Sequence, residues 1–134
     1  MVKLIAGLKG TGKSKQVVKT ANEHVLNAKG NIIYIDDDNR PMHELDHKIR
    51  FIDVSELPIC IATEFYGFIS GIIASNYDIE HIYIDGVFNK VEITEANLAI
   101  LFERIEELSN KYRIDFTITL NVEETTPASL QKYL

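Results

Sequence analysis

The chain has 134 residues, 46% hydrophobic and 25% charged, which describes one globule able to bury a core without disulfides. Cys60 is its only cysteine, so an intramolecular disulfide or a cysteine-based zinc cluster is excluded. A net charge of −6 with no basic run argues against nucleic acid as a partner, and no apolar run reaches the roughly 20 residues of a membrane span.

The opening MVKLIAGLKG lacks the long apolar stretch and small-residue cleavage site of a secretory signal, so the cytoplasm is the expected location. Short apolar runs alternate with helical patterns along the chain. That alternation predicts an α/β fold of three layers around a five-stranded, mainly parallel sheet, spanning residues 1–134 as one domain.

Val2 to Ala6 reads as a buried first strand. Lys13 to Lys29 reads as a helix with Val17, Val18, Ala21, Val25 and Ala28 on one face, and Gly30 as its stop. Asn31 to Asp36 is a second strand. Lys48 to Val54 is a third, its apolar residues interrupted by Lys48, Arg50 and Asp53 as at a sheet edge. Ile59 and Ile61 beside Cys60 suggest a buried thiol.

A second helix is predicted from Thr63 to Ser75, with Phe65, Phe68, Ile69, Ile72 and Ile73 inward and Gly67 and Gly71 allowing tight packing on the sheet. His81 to Asp85 is a fourth strand. Thr94 to Tyr112 is a long helix burying Leu98, Leu101, Phe102, Ile105 and Leu108, with Glu107 and Lys111 spaced as an i,i+4 pair. Ile114 to Val122 is a fifth strand, and the tail from Pro127 suits one short helix.

The segment GLKGTGKS fits G-x-x-x-x-G-K-[ST] at Gly7, Gly12, Lys13 and Ser14. By residue frequencies alone, such a match arises in roughly one chain of this length in a few hundred. Its context, after an apolar strand and opening a periodic helix, is the one the motif requires. Glycines let successive amides point inward around an anion, and the helix aims its positive end at the same place. Gly7, Lys9, Gly10, Thr11, Gly12, Lys13, Ser14 and Lys15 are therefore candidate binders of a nucleoside triphosphate. Lys13 would reach the outer phosphates, and the Ser14 hydroxyl would complete a magnesium shell.

A magnesium shell also needs an acid at another strand's end. Ile82-Tyr83-Ile84-Asp85 supplies it, as in a Walker B element, which makes Ser14 and Asp85 the candidate metal residues. Ile33-Tyr34-Ile35-Asp36 is a competitor that follows the first helix directly.

The order of phosphate loop, helix, acid-ended strand, edge strand, helix, Walker B strand, helix and polar-ended strand resembles the RecA-like core of P-loop ATPases over nearly the whole chain. More narrowly, the chain resembles small single-domain bacterial P-loop ATP-binding proteins. Some of these carry a twitching-motility ATPase label, although the acidic and histidine boxes of those motors have no counterpart in this sequence. The resemblance implies ATP rather than GTP, with magnesium, and a RecA-like strand order. It places Asp38, within YIDDD, where the family orients the attacking water, and Asn121 where the family senses the γ-phosphate. That order also leaves the first strand at an open edge, which invites a homodimer or another protein partner.

GTPase signatures fit less well, because Asp85 is followed by Gly86, Val87 and Phe88 rather than D-x-x-G. The run Asn89-Lys90-Val91-Glu92 ends in Glu and sits too early to read guanine. The four histidines, His24, His43, His47 and His81, make no convincing metal set. Three functional classes stay open. One is a slow or partner-activated, magnesium-dependent ATPase using Lys13 and Asp38; another is a non-hydrolysing nucleotide-dependent switch or assembly module. The third is a small-molecule kinase, for which Arg40, Arg50, Arg104 and Arg113 are too scattered to form a lid.

Overall fold

The computed structural model describes residues 1–134. Five strands, β1 (Val2–Gly7), β2 (Asn31–Asp36), β3 (Arg50–Asp53), β4 (Ile79–Asp85) and β5 (Asp115–Asn121), form one all-parallel sheet. Their spatial order is β1-β5-β4-β2-β3, the RecA-like order. Three helices cross back over it: α1 (Lys13–Val25), α2 (Ala62–Ser75) and α3 (Glu95–Tyr112). Short 3₁₀ segments occupy Arg40–His43, Val87–Asn89 and Ala128–Tyr133.

Alternation along the strands makes the layers, because successive side chains leave a strand on opposite faces. Ile33 and Ile35 of β2, with Ile82 and Ile84 of β4, join the large core under α2 and α3. Ile32, Tyr34 and Tyr83 point the other way and meet Val17, Val18 and Ala21 of α1. All five residues expected on the inner stripe of α3 are buried. That helix begins where Thr94 Oγ1 accepts the amide of Asn97 at 3.2 Å, a side-chain cap of the usual kind.

Several expectations need correcting. Helix α1 stops at Val25 rather than Lys29: the Asn27 amide turns to the His24 carbonyl at 3.1 Å, and the Glu80 carboxylate on β4 then accepts the amides of Lys29 and Gly30 at 3.1 and 3.2 Å. Cys60 is exposed: of its two isoleucine flanks only Ile59 turns inward, while Ile61 is 52% exposed. Gly67 and Gly71 face solvent, and a methyl added at either would meet nothing within 4 Å, so no close packing requires them. Glu107 and Lys111 form no ion pair; the lysine ammonium lies 5.2 Å from the Tyr112 ring centre instead.

Strand β1 does have β5 as its one strand partner, but its flank is not bare. The segment Ala128–Tyr133 folds back against it, Tyr133 packs 5.2 Å from Phe102, and Val2 and Leu4 keep only 8% and 2% exposure. The open edge expected from strand order is thus partly sheltered by the tail.

Candidate functional site

The carboxyl ends of the strands converge on a cavity of about 460 Å³, within the usual size range of small-molecule sites. Parallel strands make this possible by ending all five strands on the same side of the molecule. One wall is the loop from β1 to α1. Gly10 and Gly12 adopt φ of 81° and 88°, a left-handed conformation that a side chain would strain. Thr11 Oγ1 donates to the Leu8 carbonyl at 2.7 Å and tightens the turn. Lys13 Nζ reaches back to the carbonyls of Gly7 and Leu8 at 3.1 and 2.7 Å, holding the ammonium over the loop.

Helix α1 starts at Gly12 with no side-chain cap and no acid in its first turn. Helices ordinarily place a hydroxyl or carboxylate there, to satisfy free amides and the positive dipole end. This one places Lys13, Ser14 and Lys15 there, all lining the cavity. Amides without acceptors and two ammonium groups make a seat for an anion.

The opposite wall is acidic. Asp36 and Asp85 end β2 and β4 side by side in register, and both are buried. The matching tetrapeptides Ile33–Asp36 and Ile82–Asp85 thus lie against each other, with Tyr34 and Tyr83 stacked at 6.1 Å. Asp85 Oδ2 accepts the Tyr34 hydroxyl at 2.9 Å, and its Oδ1 accepts Thr119 Oγ1 at 2.7 Å. Thr119 in turn accepts the Gly86 amide at 3.2 Å. These bonds fix the carboxylate while leaving lone pairs free toward the cavity. The Tyr34 phenol is pushed up by burial and by the Asp85 carboxylate, so it stays a donor.

Burial pushes the Asp36 carboxyl far above the ordinary range, reinforced by its hydrogen bond with Asp37 and by the negative Asp85. Asp36 therefore keeps its proton at neutral pH. Gly86, at φ 68°, makes room for them: a methyl there would lie 2.5 Å from Asp37 Oδ1 and 2.8 Å from Asp36 Oδ1.

Of the residues singled out in the sequence, Lys9, Gly10, Gly12, Lys13, Ser14, Lys15, Asp38, Asp85 and Asn121 line this one cavity. Gly7 and Thr11 support the loop behind it. Asp38 reaches the rim, where Arg40 Nε donates to it at 2.6 Å and the Arg40 amide at 3.0 Å. These bonds hold its carboxyl below the usual range. Asn121 Nδ2 donates to Asn89 Oδ1 at 3.0 Å. Sequence reasoning missed Tyr34, Thr119, Asp37 and Asn89 as members of the site. The repeated I-Y-I-D signalled the first; the others depend on which strands become neighbours.

No family model matches the chain, and no curated protein sequence matches it. Among solved structures, the flagellar accessory protein FlaH from Methanocaldococcus jannaschii is similar over 98% of this chain, at a TM-score of 0.60 and 17% identity. This chain spans 66% of that FlaH chain. The likeness is one of fold.

Proposed function

We propose that the chain binds a nucleoside triphosphate, ATP with magnesium, in the cavity between the β1–α1 loop and Asp85. The observation that carries this reading is the start of α1, uncapped, free of acids and flanked by Lys13 and Lys15. Its amides would take the phosphates, Lys13 would exchange two carbonyls for phosphate oxygens, and Lys9 would close over them. The RecA-like fold, shared with FlaH, supports the same placement.

The residues present fit magnesium by donor chemistry: the Ser14 hydroxyl and the Asp85 carboxylate are hard oxygens facing one cavity. No three acidic, histidine or cysteine side chains form a ready-made metal cage, which suits an ion that arrives with phosphates and keeps its waters. When bound, that ion supplies positive charge against the outer phosphates.

Hydrolysis would be slow without a partner. Asp38, the candidate for orienting water, is engaged by Arg40 and made a weaker base by it. Arg40 is the one arginine lining the cavity. A protein partner, or a second copy, is needed to free Asp38 or to add positive charge. The same pairing favours a second reading, a nucleotide-dependent switch or assembly module in the cytoplasm that holds ATP without turning it over. An accessory role beside a larger machine, the kind of role FlaH's name describes, fits either reading.

Calorimetric titration with ATP and GTP, with and without magnesium, tests the binding claim. ATP with magnesium should bind best, and Lys13→Ala should weaken it about a hundredfold or more. Equal, unmeasurable binding of every nucleotide would sink the proposal. Phosphate release separates the readings: turnover lost in Lys13→Ala and Asp38→Asn means an ATPase, while tight binding without turnover means the switch.

A further inference from the structure

A second cavity of about 730 Å³ adjoins the first, between the end of β5, the segment 88–93 and the start of α3. Its floor is apolar, made by the buried Val91, Leu98 and Leu120. Its rim carries Glu92, Glu95, Glu123 and Glu124, all exposed, and no lysine or arginine lines it. None of these carboxylates belongs to any of the chain's four ion pairs.

Four uncompensated like charges around an apolar floor repel one another, and added positive charge relieves that repulsion. A single metal ion does not fit, because no three of these carboxylates converge on one point. The complement is positive charge spread along a chain, on either side of an apolar anchor. A different protein suits this rim better than a second copy, because two chains of net charge −6 repel each other.

We propose that this groove docks a basic amphipathic segment of a different protein, with an apolar side chain on the floor and lysines or arginines against the glutamates. The groove and the nucleotide cavity share Phe88, Asn89 and Asn121 as a common wall. The Asn89–Asn121 hydrogen bond spans that wall, so a phosphate taking the Asn121 amide would free Asn89 and reshape the groove. Docking and nucleotide occupancy are thereby coupled; only this coupling rests on the nucleotide reading.

The test is fluorescence anisotropy with the full chain and a labelled synthetic peptide that alternates leucine and arginine. The double variant Glu92→Gln/Glu123→Gln should weaken binding about tenfold. Glu103→Gln/Glu107→Gln, which removes equal charge from α3 outside the groove, should change it less than about twofold. A peptide with citrulline for arginine should not bind. No binding by the wild type, or equal loss in both double variants, overturns the groove. Saturating ATP with magnesium should shift peptide affinity about threefold or more in the wild type and not in Asn89→Ala. An unchanged affinity while ATP demonstrably binds overturns the coupling. A failure of ATP to bind by calorimetry overturns the nucleotide reading and the coupling with it, leaving the groove to be decided by the peptide and its variants.

Discussion

Replacing His81 by Phe should make the protein less stable at neutral pH but not in mild acid. His81 lies on β4 with 9% exposure, stacks on Tyr83 at 4.1 Å and shares a hydrogen bond with Thr117 Oγ1 at 2.8 Å. Burial, helped by the neighbouring His24, pushes its pKa down to about 4. The unfolded chain would protonate it near pH 6.5. Unfolding therefore takes up a proton between these values, so this stabilising contribution is full above about pH 6.5 and is lost as pH falls toward about 4. At about pH 5 the loss is about 1.5 units at 1.36 kcal/mol each, or roughly 2 kcal/mol. Phe keeps a flat ring against Tyr83 but strands the Thr117 hydroxyl, costing about 1–2 kcal/mol at neutral pH. The two effects cancel near pH 5. Urea unfolding followed by far-ultraviolet circular dichroism, at several pH values between about 7.5 and 5, reads this difference directly. Glu80, Asp115 and His24 remain in both proteins and largely cancel in the comparison. A stability gap that stays constant across that range would refute the reasoning, as would an NMR midpoint for His81 near 6.5.

Other substitutions probe the remaining features. Gly67→Ala/Gly71→Ala adds methyl groups to open space on an exposed helix face, and should raise unfolding free energy by about 1–2 kcal/mol in urea. Lys90→Met removes an ammonium that donates to the carbonyls of Val54, Ser55 and Leu57 at 2.6, 2.8 and 2.6 Å. It should cost about 2 kcal/mol and show as faster amide exchange in 54–61. Asp36→Asn removes a carboxyl that is protonated when folded and ionised when unfolded above about pH 4, so wild-type stability falls as pH rises toward the raised value. In metal-free buffer the variant should gain on the wild type steadily from about pH 6 to 9, and parallel curves would count against a protonated Asp36.

Periodicity carried much of the fold because it reports burial directly. The stripe of α3 and the bounds of β2 were legible from spacing, and the tight β1–α1 turn from its glycines. What stayed hidden depends on partners distant in sequence. The turn after α1 is tied down by Glu80, a residue 51 positions beyond Lys29. The fixing of Asp85 by Tyr34 and Thr119 becomes visible only once β2 and β5 are known to flank β4. Gly67 and Gly71 misled for a different reason: a glycine's missing side chain is equally consistent with crowding and with empty space.

The unprotected beginning of α1 bears on how the protein ages. Exchanging Gly12 for serine or aspartate would supply the missing acceptor, worth about 1 kcal/mol in an ordinary helix, but φ of 88° penalises either side chain by a similar amount. Local sequence change therefore offers no repair, and only an anion from solution makes up the deficit. Under the proposed nucleotide reading, fraying should start at this turn in the empty protein, so proteases would cleave it around residues 8–14 and spare the loaded form.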